Sequence, residues 1–330
     1  MNPFDYQRAS GPETAIASIS DSSNAKFLAG GTNLIDLMKN GVERPERLVD
    51  INRLPLAKIE PLPDGGLRLG ALARNSDTAN HPLVRQHYPL LSRAILSGAS
   101  PQLRNLATNG GNLLQRTRCW YFMDAGSAQC NKRAPGSGCG ALEGQNRYHA
   151  IFGVSDKCIA THPSDMCVAL AALDAVVRVR GPKGERTIPI ADFHRLPGET
   201  PQIDTNLGKD ELILSIDLPK SPYSHSHYLK VRDRASYEFA LVSVAAAMDI
   251  QDGRVRSARI VLGGVSHKPW RCEDSEKMLI GNYVNAAFFE DAGEIAIRNA
   301  KSYKHNAFKV PLVRRAVTKA LSIAGGLAWA

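Results

Sequence analysis

Residues 25–34, AKFLAGGTNL, carry a short apolar run straight into two glycines, a threonine and an asparagine, and LIDLMKN at 34–40 then takes up helical spacing. A strand that ends in Gly30-Gly31 and hands over to a helix lets the main chain approach a ligand closely. It also points free N–H groups at an anion. The stretch is neither a GxGxxG fingerprint nor a P-loop, since it lacks the glycine spacing of the first and the Gly-Lys-Ser/Thr ending of the second. By itself it also reads as a plain turn. A second loop, Thr108-Asn109-Gly110-Gly111-Asn112, repeats the theme of glycines flanked by short hydrogen-bonding side chains. Two such loops in one domain point to a dinucleotide.

Around these loops the pattern alternates strand and helix. RLVDI at 47–51 reads as a strand, and LRLGALA at 67–73 resumes strand character after the turn Asp64-Gly65-Gly66. HPLVRQHYPLLSRAILSGA at 81–99 has the apolar spacing of one covering helix, whereas LRNLATNGGNLL at 103–114 is rich enough in Asn and Gly to predict an irregular, ligand-facing loop. HPSDMCVALAALDA at 162–175 predicts a helix capped by Ser164 with Asp165 in its first turn, then a strand in VVRVRG and another in ELILSIDLP at 211–219. Beyond about residue 224 strands are expected at 228–232, 239–250 and 254–265, followed by helices at 273–280, 284–300 and 310–325. Strands followed by helices suggest a separate α+β domain.

The chain has 330 residues, 43% of them hydrophobic and 22% charged, so it folds and has length for two domains. Its richest apolar window, FALVSVAAAM at 239–248, is bounded by Glu238 and Asp249 and is too short to span a membrane. The formal net charge is +9, but the basic residues are scattered and no nucleic-acid-binding pattern is present. The stretch MNPFDYQRASGPETA carries neither an apolar leader nor a twin-arginine signal, so the chain is not expected to direct its own export.

Cys119, Cys130, Cys139 and Cys158 fall in one window whose interior, 124–145, is dominated by Gly, Ser, Ala and Asn. That interior has too little apolar side chain to hold itself, so something other than a hydrophobic core must fix it. Three readings compete: disulfides, which a reducing compartment disfavours; a zinc site, although no close-spaced knuckle is present; and four-thiolate ligation of an iron–sulfur cluster. Cys167 and Cys272 read as small apolar residues, and His149 and His162 as non-ligands. Trp120 and Tyr121, beside the first cysteine, suit either cluster shielding or core packing.

FLAGGTNLIDLM, the LVDI that follows, LRLGALARNSDTANHPLV, LRNLATNGGNL, HPSDMCVALAALDA and YLKVRDRASYEFALVSVAAA together resemble the FAD-binding subunits of the molybdenum hydroxylases, the xanthine dehydrogenase and aldehyde oxidoreductase family. The nearest subgroup is that of bacterial periplasmic aldehyde oxidoreductases. The resemblance implies an α+β chain of two parts. Residues 1–223 would form a two-lobed FAD-binding domain of the vanillyl-alcohol-oxidase (PCMH) type, with lobe one at about 1–60, lobe two at about 61–223 and an insertion at about 116–160. Residues 224–330 would form a C-terminal domain of the CO dehydrogenase flavoprotein type.

Position by position, it implies that Lys26, Phe27, Leu28, Ala29, Gly30, Gly31, Thr32, Asn33 and Leu34 wrap the pyrophosphate and adenosine side of FAD. Thr108, Gly110, Gly111 and Asn112 would close on it from the second lobe, Asp165 would hydrogen-bond it, and Leu212 and Lys230 would lie near the isoalloxazine ring. The insertion is similar to the one in 4-hydroxybenzoyl-CoA reductase, which implies a [4Fe-4S] cluster on Cys119, Cys130, Cys139 and Cys158.

No catalytic constellation is visible, which fits an electron-transfer subunit whose cofactors perform the chemistry. The resemblance implies a heterotrimer with a large molybdenum–pterin subunit and a small subunit holding two [2Fe-2S] clusters. Aldehydes would be oxidised on the large subunit, an external acceptor would take the electrons, and the folded complex would reach the periplasm on a partner's signal. The rivals are a free-standing flavin oxidoreductase of the same fold and a zinc-stabilised basic binding protein.

Overall fold

The computed structural model describes residues 1–328; Trp329 and Ala330, the last two residues of the segment expected at 224–330, lie outside the described residues. Lobe one is a parallel three-stranded sheet, β1 (Asp5–Arg8), β2 (Ala25–Leu28) and β3 (Arg47–Asp50), in the order β1-β3-β2, with helices α1 (Pro12–Ser20) and α2 (Leu34–Lys39) on the crossovers. Ala15, Ile16 and Ile19 of α1 bury against Ala25, Val49 and Ile51, the small core that holds the first glycine loop at the end of β2. The short, fully exposed β1 has no apolar alternation that a sequence reading could detect; parallel pairing with β3 defines it.

Lobe two is built on a five-stranded antiparallel sheet: β4 (Ile59–Pro61), β5 (Leu67–Gly70), β6 (Val176–Gly181), β7 (Gly184–Pro189) and β8 (Leu212–Leu218), ordered β4-β5-β8-β6-β7. Helices α3 (Asn75–Asn80), α4 (Pro82–His87), α5 (Pro89–Ser97), α6 (Pro101–Arg104), α7 (Asn109–Leu113), α8 (Trp120–Met123), α9 (Asp165–Ala172) and α10 (Ile190–Phe193) complete it. The single helix expected over 81–99 is two, because Pro89 has no N–H and drives Tyr88 to φ −134°, ψ 52°. The expected irregular loop at 103–114 contains two short helices. The Ser100 and Thr108 hydroxyls cap them by accepting the N–H of Leu103 at 3.3 Å and of Gly111 at 3.2 Å, which offsets the low helix propensity of Asn and Gly. Ser164 caps α9 as expected, its hydroxyl accepting the Cys167 N–H at 3.0 Å.

The C-terminal part is an antiparallel sheet of β9 (His225–Val231), β10 (Val242–Gln251), β11 (Arg254–Gly263) and β12 (Trp270–Arg271), in the order β12-β11-β10-β9, followed by α11 (Glu273–Leu279), α12 (Ala286–Ala296) and α13 (Lys309–Ala324). Alternate residues of β10 enter different cores. Ala245 and Ala247 join α5 and α9 of lobe two, whereas Val242, Val244, Ala246 and Met248 join the helices of the C-terminal part. A strand covered on both faces explains why VSVAAAM is apolar without alternation.

Candidate functional site

The two glycine loops meet. A Cβ on Gly30 would lie 2.1 Å from the Leu106 carbonyl oxygen, so only glycine permits the first loop to lie against the segment leading into the second. Gly31 adopts φ +71°, a left-handed conformation that turns the chain into α2. Asn33 accepts the Arg116 N–H at 3.1 Å on its side-chain oxygen, while its buried amide nitrogen has no partner. That orphaned donor beside a glycine turn at the start of α2 suits a hydrogen-bonding ligand such as a phosphate.

From the second loop the site continues to α9. Asn112 donates to Asn75 Oδ1 at 2.7 Å and accepts from the Ser164 hydroxyl at 2.5 Å, which ties the loop to the residue beside Asp165. Asp165 is buried and accepts from the Tyr228 hydroxyl at 2.7 Å and from Lys230 Nζ at 2.7 Å. Burial and this carboxylate hold the Tyr228 phenol well above its usual range, so it remains an O–H donor. Lys230 also donates to the Ser97 carbonyl at 3.1 Å, and its side chain is only 4% exposed. Asp165 and Lys230, chosen separately from the sequence, therefore form one buried ion pair. The pairing was not legible, because 65 residues separate the partners.

Asp165 lines a cavity of about 360 Å³ together with Arg118, Cys119, Trp120, His149, His162 and Phe239. Trp120 is 66% exposed, so it is a rim residue and not part of the core. Leu212 stands apart from this group. It is buried in the apolar cluster beneath the first glycine loop, with Phe27 and Ala29 packed against that cluster. Lys26 is exposed, with Glu43 3.8 Å away, and Phe27, Leu28, Thr32 and Leu34 are half-buried around the loop.

The four clustered cysteines converge. Cys119, Cys130, Cys139 and Cys158 line one small cavity with Phe122, Ala141 and Ala160, and Cys130 and Cys139 face each other across an isolated antiparallel bridge. All four are free thiols. Among the described residues no three of these sulfurs lie mutually within 4.8 Å. A single tetrahedral zinc would bring them to roughly 3.8 Å, given Zn–S bonds of about 2.3 Å. The Cys139 thiol is lowered to about 6, because a hydrogen bond from Cys158 favours its thiolate, as do the amides of Ala141, Ile159 and Leu142. Burial pushes Cys119 up to about 12. Two histidines touch the cage from outside, His149 Nε2 at 3.1 Å from Cys119 and His267 Nε2 at 3.3 Å from Cys158.

The segment that carries the cysteines is pinned by polar side chains as well. Asn131 Oδ1 accepts the N–H groups of Gly136 and Gly138 at 3.1 and 2.9 Å. The buried Lys132 donates to the Pro201 carbonyl at 2.6 Å and pairs with Asp204, which also holds Arg116 at 2.7 Å. These pegs join residues up to 88 apart, and nothing in the sequence of the segment announced them.

Two lobes joined by glycine loops, a cavity bordered by the buried Asp165 and an adjoining thiol cage that shares Cys119 with it are the architecture of a cofactor-binding subunit. Residues 2–221 match the family of the FAD binding domain in molybdopterin dehydrogenase, and residues 227–324 match the CO dehydrogenase flavoprotein C-terminal domain. The aldehyde oxidoreductase FAD-binding subunit PaoB of Escherichia coli (strain K12) is 52% identical over 324 residues, which cover 98% of each chain. The glyceraldehyde dehydrogenase medium chain of Sulfolobus acidocaldarius is 28% identical over 87% of this chain and 85% of its own. The carbon monoxide dehydrogenase structure from Hydrogenophaga pseudoflava superimposes with a TM-score of 0.77 at 25% identity, covering 98% of both chains. The chain belongs to the FAD-binding medium subunits of the molybdenum hydroxylases and is an oxidoreductase subunit. The FAD cofactor and the two-part fold expected from the sequence are borne out.

Proposed function

We propose that this subunit serves a heterotrimeric aldehyde oxidoreductase. A large molybdenum–pterin partner would oxidise an aldehyde to a carboxylic acid, and a small partner with two [2Fe-2S] clusters would deliver the electrons here. Identity of 52% to PaoB supports the aldehyde as substrate class. FAD, held by Lys26 through Leu34, Thr108, Gly110, Gly111, Asn112 and Asp165, supplies the exchange between single-electron delivery and a two-electron external acceptor.

The chain's own contribution is position and charge. Asp165 and Lys230 form a buried ion pair beside the cavity, and Lys230 would supply a fixed cation toward the flavin if the ring lies on that side. Thr108, Asn112 and Ser164 form a hydrogen-bonded rail that fixes the second loop against α9. Leu212 supports the first loop from below.

Cys119, Cys130, Cys139 and Cys158 would hold a [4Fe-4S] cluster, which supplies a one-electron centre. The observation that carries this reading is that Cys119 lines both the thiol cage and the cavity bordered by Asp165. His149 and His267 stand where ring N–H groups would donate to ligand sulfurs, an arrangement that raises a cluster's potential. The assembly is proposed to be periplasmic, exported folded on a partner's signal.

Co-production with both partners, anaerobic purification and separation of this chain test the reading. Flavin with about four iron and four sulfide per chain is expected. Cys139→Ser should lower the iron while sparing the flavin. Colourless protein lacking both groups overturns the proposal, and fractionation of cells tests the compartment.

A further inference from the structure

His162, which lines the Asp165 cavity, also belongs to a second group of side chains on its inner side. His162, Cys167 and His194 each place a ligand atom within 4.8 Å of the other two. The imidazoles of His162 and His194 have ring centroids 4.2 Å apart, and both line a small enclosed cavity that His267, Thr161 and Asp204 also border. His194 is 3% exposed, and its Nε2 lies 2.8 Å from the Leu113 carbonyl, which that nitrogen can contact only as an N–H donor. The tautomer is therefore fixed with the lone pair on Nδ1, which is buried and has no partner; His162 Nε2 is likewise buried and unpartnered. An imidazole whose second nitrogen is tied to a backbone carbonyl with the first left bare, as in His194, is the usual supporting arrangement of a metal ligand.

We propose that His162, Cys167 and His194 form a second metal site, separate from the four-cysteine cage, that takes one borderline divalent ion of the zinc class. Two imidazoles and a thiolate make a three-ligand set for such an ion, and the adjoining cavity leaves room for a fourth, water ligand. Binding would release the Cys167 thiol proton to solvent, forming a metal–sulfur bond without change of oxidation state. The ion would join the segment that begins α9 to the strap after α10. It would thus act on the Asp165 region as a staple and not as a catalyst. The inference is independent of the iron–sulfur reading.

Elemental analysis of the purified holo-subunit is expected to find about one zinc per chain in addition to any iron. In chelator-treated protein, cobalt(II) should restore a tetrahedral visible spectrum with a thiolate charge-transfer band. His194→Ala and Cys167→Ala should each abolish the zinc and the cobalt band while flavin content and far-ultraviolet circular dichroism are kept. His162→Gln, a milder change, should weaken cobalt binding at least tenfold. Cys139→Ser should lower the iron and leave the zinc in place. Absence of zinc from the wild type, together with no cobalt spectrum on titration, overturns the proposal. So does zinc that persists in Cys167→Ala and His194→Ala but disappears in Cys139→Ser.

Discussion

At the scale of single residues, Asp165 and Lys230 carry the sharpest expectation. Both side chains are more than nine-tenths buried, and removing one charge strands the other in a poor solvent. Asp165→Asn should lower stability by about 3–5 kcal/mol and reduce flavin content, measured by chemical denaturation and by flavin absorbance per chain. The double variant Asp165→Asn with Lys230→Met should regain most of the stability, since no unpaired charge remains, without regaining the flavin. Recovery of both would show the pair to be only structural. Gly30→Ala makes a second expectation. Its Cβ would meet the Leu106 carbonyl at 2.1 Å, backbone against backbone, so the two loops must part, at about 1–3 kcal/mol, and flavin occupancy should fall. An alanine variant that keeps full flavin by absorbance would show that the loops part without cost to the site.

At the scale of elements, the sequence disclosed what short-range pattern carries. The β2 to α2 handover, the Ser164 cap and the cysteine window were legible because each is a contiguous signal. Pro89 was equally visible, yet the apolar spacing around it outweighed its message and one helix was expected where two form. Contacts that join distant segments were not legible: His267 beside Cys158 spans 109 residues, and Lys132 with Asp204 spans 72. The insertion shows the consequence. Its interior lacks apolar side chains, as read, but Asn131 and Lys132 peg it by hydrogen bonds and an ion pair, with the proposed cluster as a second fastening. If the thiols hold the proposed cluster, its ligation contributes to local folding, and stripping the iron with a chelator should open residues 124–145 to limited proteolysis while the sheets on either side stay intact. Mass spectrometry of the fragments checks this. Cleavage spread over the whole chain, or none in 124–145, would mean that the polar pegs alone set the loop's stability.

At the scale of the whole molecule, Lys309 is one of the points where the C-terminal part is fastened to the rest. It begins α13, is fully buried, and donates to the His149 carbonyl at 3.0 Å and the Gly264 carbonyl at 2.8 Å. No carboxylate accompanies it in these bonds. Burial, helped by the positive charge of Arg147, pulls its pKa down from 10.5 to about 7. Between those values the unfolded chain holds a proton that the folded chain does not, so stability rises with pH across that window. The contribution is complete above about 10.5 and is lost as the pH falls through 7, where the folded state must accept a buried charge. Thermal unfolding of the purified subunit at pH 6.5 and pH 9 should therefore show a higher midpoint at pH 9 from this group. Lys309→Met, close in length and without a titrating nitrogen, should flatten that difference whatever its effect on absolute stability. An equal pH dependence in both proteins would mean that the Lys309 ammonium stays protonated throughout and that its two carbonyl partners suffice to stabilise it.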